Sequence, residues 1–208
     1  MMKLKKFFYP VFLASIAFLT IKYLKSVRKP MSKPVLFIVS SKGYQPIEYS
    51  VPKQMLEQAG ITVVTGSDAG PIATSAEKPN EPGTAQTTEV NILLAEVNPK
   101  NYDGIVFIGG PGTMEHLDNE TSYKITQEAK QNGIVLGAIC LAPRVLAKAG
   151  VLRGKRATGW NGDNELPKIF EENNVIYKND SVAVDGKIVT GRDPSSAQAF
   201  GEKLLEVL

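Results

Sequence analysis

Three nearly unbroken apolar runs, "VLFIVSS" (35–41), "GIVFIGG" (104–110) and "GIVLGAI" (133–139), limit the fold of this chain more than any other feature. A strand with water on one face alternates apolar and polar residues; runs without alternation belong to strands covered on both faces. Such strands lie in parallel sheets, which need helical crossovers between them. The segments between the runs supply these. Ile47 to Gln58 puts Val51, Met55 and Leu56 on one helical face and stops at Gly60, and "SYKITQEAKQNG" is amphipathic and closed by Gly133. "ITVVTGS" reads as a further strand, "SVAVDGKIVTGRD" as a hairpin turning at Asp185-Gly186, and Ser195 to Leu208 as a closing helix. Asp68 to Gln86, rich in Pro, Gly, Thr and Ser, reads as a loop or irregular hairpin. The expected class is α/β, with a mostly parallel sheet and helices on both faces. No internal repeat and no linker interrupts residues 34–208.

The 208 residues hold one such domain with an appendage, and an apolar share of 43% is enough for a real core. Eight of the 24 basic residues fall in the first 33 positions, which contain no acid. The remainder carries 16 basic and 21 acidic residues, so the electrostatic argument for nucleic-acid binding disappears. Within residues 1–33, the uncharged run Phe7 to Ile21 stands between lysine-rich flanks and reads as a membrane anchor or signal-like segment. Lys22, Lys25, Arg28, Lys29 and Lys33 outnumber Lys3, Lys5 and Lys6, which keeps the following domain cytoplasmic by the positive-inside tendency. If Met31 is the true start, the same domain is soluble and cytoplasmic.

A single cysteine, Cys140, excludes an intrachain disulfide and a multi-cysteine metal site, and no metal or cofactor is expected. It falls where the strand "GIVLGAI" gives way to the helix "LAPRVLAKAG", at the carboxyl edge of the sheet, where open α/β sheets place ligands. A helix N-terminus favours an anion and would lower the thiol's pKa. Free cysteine is also among the residues most often buried in cores, so position leaves both readings open. The pair Gly109-Gly110 ends a neighbouring strand. The Gly110 N–H could join that of Leu141 as an oxyanion hole, or the pair could simply mark a tight turn.

"YDGIVFIGGPG", "GAICLAPRVLAKAGVLRGKRAT" and "DGKIVTGRDPSSAQAFGEKLLEVL" together resemble successive motifs of the PfpI/ThiJ (DJ-one) superfamily, in the expected order across residues 34–208. The resemblance implies a flavodoxin-like sandwich, assembled as a homodimer. It also makes Cys140 the nucleophile and gives Glu48, in "GYQPIEYSVPKQMLEQAG", the role of the acid that contacts it. Read without the resemblance, Glu48 is an ordinary acid at a helix start. A protonated carboxyl beside the sulfur could donate a hydrogen bond to a thiolate or a sulfinate.

The chain departs from the resemblance where a base is needed. Leu141 follows the cysteine where the peptidase-like members have histidine, and Trp160 stands at the other common histidine position, where it could roof the pocket. His116, the only histidine, lies upstream beside Glu115 and reads as a solvated surface residue, or as a group reaching a neighbouring subunit. A proteolytic triad and the His-x-Glu pair of glutamine amidotransferases are therefore unsupported. Two uses follow from the resemblance. One is glyoxalase or deglycase chemistry on a small reactive carbonyl; the other is a redox sensor or chaperone-like module in which an oxidant converts Cys140 to a sulfinate.

Overall fold

The computed structural model describes residues 33–78 and 80–208. The run Phe7 to Ile21, and the anchor expected there, lie outside the described residues; among those described, no helix is long and apolar enough to cross a membrane.

The first half of the domain runs β1 (Val35–Val39), β2 (Lys42–Tyr44), α1 (Pro46–Gln58), β3 (Val63–Ser67), β4 (Ile72–Ser75), β5 (Thr87–Glu89), β6 (Ile92–Leu93) and β7 (Gly104–Phe107). The second half runs α2 (Thr113–His116), α3 (Glu120–Gln131), β8 (Val135–Ile139), α4 (Ala142–Lys148), β9 (Arg156–Ala157), α5 (Leu166–Glu172), β10 (Ile176–Tyr177), β11 (Val182–Asp185), β12 (Ile188–Gly191) and α6 (Ala197–Val207). The main sheet has seven strands in the order β11-β12-β8-β7-β1-β3-β6. All its neighbours are parallel except β11, the outer arm of the Asp185-Gly186 hairpin, which pairs antiparallel with β12. This is the flavodoxin-like α/β sandwich with helices on both faces.

The three apolar runs are β1, β7 and β8, adjacent at the centre and fully buried. Their alternate residues serve opposite faces. Leu36, Ile38, Ile105, Phe107, Leu136 and Ala138 join α3, α4 and α5 in one core cluster through Ile125, Val145 and Phe170. On the other face α6 packs so closely that a Cβ on Gly137 of β8 would lie 3.0 Å from Leu204. Gly201 of α6 likewise brings that helix against Pro52 of α1.

Two small sheets fall outside the pattern that the apolar runs announce. β4 and β5 form an antiparallel hairpin across the Pro- and Gly-rich segment, and β4 pairs parallel with β2. β9 and β10 pair in parallel for two residues each, and α5 lies between them. None of these short pieces has a hydrophobic period long enough to show in sequence.

The chain turns in opposite directions from β1, to β3 on one side and β7 on the other, so the carboxyl ends of β1, β7 and β8 bound a crevice. The α1–α6 contact keeps α1, which carries Glu48, beside that edge. Gly201→Val should strain it, because a Cβ there would already lie 2.8 Å from Met55 Sδ and 3.2 Å from Pro52 Cα. We expect a loss of ~1–3 kcal/mol, read as a lower urea midpoint with an unchanged slope.

Candidate functional site

Strand β8 ends at Ile139, and the next residue, Cys140, has φ 63°, a left-handed conformation that costs a non-glycine residue ~1–3 kcal/mol. The turn is tied at both ends: Cys140 N donates to Gly191 O (3.0 Å), and Cys140 O accepts from Trp160 N (2.8 Å). Cys140 as a whole is 7% exposed.

Glu48 arrives from the first turn of α1. The Gln45 side chain caps that helix, accepting from Ile47 N (2.6 Å) and Glu48 N (3.4 Å), and Pro46 starts it without needing a donor. Gln45 N in turn donates to Gly109 O (2.8 Å), fastening the helix start to the end of β7. The glycine pair is what allows the three segments to meet. A Cβ at Gly109 would fall 2.5 Å from Cys140 Cβ and 2.7 Å from Glu48 Oε2; one at Gly110, where φ is 122°, would fall 2.3 Å from Gly43 O.

The Glu48 carboxyl is fully buried, with Oε2 accepting from Gly109 N (3.2 Å) and Oε1 lacking a conventional partner. Burial pushes its pKa from 4.5 up to about 8, against the smaller favourable effects of the Cys140 thiol and the Gly109 N–H; the charge of Asp193 adds to the rise. A helix N-terminus is worth at most ~2 kcal/mol to a carboxylate, under two pKa units, so burial decides. The acid is neutral at pH 7. With Oε2 engaged as an acceptor, its proton belongs on Oε1, which has no acceptor role to fill.

Burial also pushes the Cys140 thiol up, and the charge and hydrogen bonding of an ionised Glu48 push it further. The backbone N–H groups of Leu141 and Gly110 oppose this and favour the anion. The expectation that the helix N-terminus lowers the thiol's pKa is therefore corrected. A helix of seven residues supplies too little field to offset the loss of water around the thiol of a buried cysteine.

The structure thus brings Cys140, Glu48, Gly109, Gly110 and Leu141 together. Trp160 reaches the site through its backbone, while its ring lies over Gly162 and 5.7 Å from the Arg144 guanidinium. His116 is not the solvated residue expected. Its side chain is 21% exposed, with Nδ1 3.1 Å from Asp68 Oδ2, and Asp68 also accepts from Ser41 N and Oγ. Glu115 is exposed on α2. Asp193 and Arg144 were not anticipated, and nothing in their spacing would have singled them out. Among the described residues no group of three or more His, Cys, Asp or Glu is arranged to hold a metal ion.

The DJ-1/PfpI family model matches residues 33–207. The chain belongs to that family. An uncharacterised protein of Methanocaldococcus jannaschii is 33% identical over 84% of this chain and 82% of its own length. A deglycase of Pyrococcus abyssi is 27% identical over 83% of this chain and 98% of its own. Among solved structures, Drosophila melanogaster DJ-1beta superposes with a TM-score of 0.72 at 28% identity, covering 85% of this chain and 91% of that one. A ThiJ/PfpI domain protein of Brachyspira murdochii reaches 0.76 at 23% identity, covering 85% and 97%.

Neutral Glu48 makes stability pH-dependent in a stated direction. Above its unfolded pKa of 4.5 the unfolded chain releases the proton while the folded chain keeps it up to about 8, so the contribution is full below 4.5 and is lost as pH rises to 8. Glu48→Gln keeps the shape and cannot ionise. Urea unfolding at pH 5, 6.5 and 8 should show wild type losing up to ~1.4 kcal/mol per pH unit relative to the variant. Parallel curves would mean that Glu48 is ionised in the folded protein.

Proposed function

We propose that this chain is a cysteine-dependent enzyme acting on small reactive carbonyls, of the glyoxalase or deglycase type, with Cys140 as nucleophile and Glu48 as its acid and base. The observation that carries the reading is the contact between a buried thiol and a carboxyl held neutral to about 8, with the Leu141 and Gly110 N–H groups favouring the anion. That the Pyrococcus abyssi relative is a deglycase supports the substrate class.

The pair loses its first proton from Glu48, the more acidic of the two groups; the carboxylate then takes the thiol's proton, which puts the charge on sulfur and the remaining proton on Glu48. With methylglyoxal, the sulfur adds to the aldehyde carbon. A C–S bond forms, the carbonyl electron pair moves to oxygen, and Glu48 gives that oxygen its proton. Glu48, now a carboxylate, removes the hydrogen from the same carbon, and the electron pair passes to the neighbouring ketone oxygen as an enediolate. The second carbon takes this proton back while the hydroxyl proton of the first passes to the second oxygen, leaving a 2-hydroxyacyl thioester. Water cleaves the thioester to lactate; Glu48 takes a proton from the water and sulfur leaves as the anion. One carbon is oxidised as its neighbour is reduced, so no external electron acceptor is needed. Gly110 and Leu141 N–H groups hold the oxyanion in the first and last steps.

The test is lactate formation from methylglyoxal by the purified protein. Cys140→Ser should abolish turnover, and Glu48→Gln should lower it by ~10²–10⁴-fold, the usual worth of positioned acid–base help. Wild-type kcat/KM should rise with pH and level off above about 8, because the rise in the Glu48 pKa delays formation of the reactive anion. Turnover that survives Cys140→Ser refutes the proposal. An inert wild type whose Cys140 is taken by peroxide to a stable sulfinate, with two peroxides reduced to water, replaces it with the sensor reading.

A further inference from the structure

Arg144 lies one helical turn past Cys140, and only 5% of it is exposed. Its Nη1 donates to Asp163 Oδ2 (2.9 Å), and its Nη2 donates to Asp163 Oδ1 (2.6 Å) and to Trp160 O (3.2 Å). The guanidinium carbon lies 5.7 Å from the centre of the Trp160 ring. Nε is buried without a partner. A guanidinium in this setting loses most of its hydration and leaves one donor unused, which a methionine of similar volume would avoid. Stability alone is therefore a weak reason for an arginine here.

The contacts trace a closed circuit. Trp160 N holds the Cys140 carbonyl (2.8 Å); Arg144 grips the Trp160 carbonyl and ring; Arg144 N returns to Leu141 O (3.1 Å), beside the nucleophile. Asp163 closes the far side of the loop, accepting from Glu165 N (3.1 Å) as well as from Arg144. Gly159 lets the loop come this close, since a Cβ there would lie 3.1 Å from Cys140 O. The left-handed turn at Cys140 needs outside contacts to persist, and on its carbonyl side this loop provides the contact.

We propose that Arg144 is a positioning residue for Cys140: by clamping the Trp160–Asp163 loop to the start of α4, it holds the cysteine in the left-handed turn that presents its sulfur to the Gly110 and Leu141 N–H groups. Asp163 is the other jaw of this clamp. The inference rests on Cys140 being a reactive thiol, as in the function proposed above, and does not depend on which electrophile the thiol attacks.

Iodoacetamide alkylation of Cys140 across pH separates the two ideas, because it reads the thiol whether or not a carbonyl is turned over. The titratable groups around the thiol are Glu48 from α1 and, beyond it, Asp193 with its partner Arg192; none is altered in the variants. Arg144→Met should raise the alkylation midpoint by half a pH unit or more, since a relaxed turn withdraws the sulfur from its N–H donors. It should also lower kcat for methylglyoxal at least tenfold, with KM changed less than threefold. Arg144→Lys keeps the charge but loses the fork and the planar stack, and should behave like Arg144→Met. Asp163→Asn, whose side chain is 37% exposed, serves if the arginine variants fail to fold, and should shift the midpoint in the same direction. A midpoint within 0.2 units of wild type in the folded variants, whatever happens to Tm, overturns the proposal and leaves Arg144 a structural residue. A wild-type-like midpoint in Arg144→Lys alone overturns the clamp, because charge would then suffice. If wild type turns over no methylglyoxal while the midpoint still shifts, the clamp stands and the carbonyl reading falls.

Discussion

The structure turns on one proton, held by a carboxyl that has no exposed surface and touches a thiol. An ionised Glu48 in that position would lose its hydration for a single N–H partner, which is too little compensation. Keeping the proton removes the charge and gives the thiol a donor for the moment when the sulfur becomes anionic. The surrounding backbone serves that arrangement. Gly109 has no side chain because Cys140 Cβ and Glu48 Oε2 occupy the space, and Gly110 has none because the chain of Gly43 passes there. Gln45 caps α1 and bonds Gly109, so the element that carries the acid and the strand that lies beside the thiol cannot drift apart.

Three fields act on the pair, and their sizes explain its state. Helix N-termini and the Leu141 and Gly110 N–H groups favour anions, but each is a local dipole with limited reach. Burial acts on the whole charge and outweighs them for both groups, while the Asp193 carboxylate adds to the upward push on Glu48. Arg192 lies against Asp193 at 3.0 Å and is half-exposed, so it tempers that field without cancelling it. A thiol governed in this way is quiet until it loses a proton. That suits a site that must tolerate the many electrophiles and oxidants a permanently ionised cysteine would meet.

The central sheet and its order along the chain were legible because β1, β7 and β8 are covered on both faces and their sequences cannot alternate. The hairpin of β11 and β12 was legible in Asp185-Gly186. The pair β9–β10 and helix α5 were not, since two to seven residues carry too little period to outweigh loop composition, and β4–β5 showed only as the irregular-hairpin alternative for the Pro- and Gly-rich segment. At the site, the cysteine turn and the glycine pair announced themselves as strand ends, while Glu48 needed the family resemblance to stand out from other helix-start acids. The protonated Glu48 agrees with the expectation, while the thiol's raised pKa does not, for a physical reason: a helix start after cysteine is visible in sequence, whereas the depth at which the sulfur lies is a property of the whole fold. Arg144 and Asp163, nineteen residues apart, meet only because the loop after β9 doubles back over α4. His116 escaped for the same reason, since its partner Asp68 comes from the end of β3.

Trp160, at what the family resemblance makes a histidine position, bears on what the rest of the site would do in the proposed reaction. An imidazole there could accept a proton near neutral pH while the carboxyl kept its own; an indole N–H can only donate. In the proposed reaction, proton traffic would therefore fall to Glu48, giving a proton when sulfur attacks and taking one from carbon immediately afterwards. A pKa of about 8 suits both duties, since the acid is mostly loaded at neutral pH and becomes a usable base once it has delivered its proton. One group cannot be acid and base at the same instant, so the two transfers have to be sequential, and the intermediate between them must be held in place meanwhile. The backbone donors at Gly110 and Leu141 and the fixed turn at Cys140 are the parts of this site suited to that holding. Without a histidine here, the proposed reaction would rest more on geometry than on acid–base chemistry, and the Arg144–Trp160 contact makes Trp160 part of that geometry.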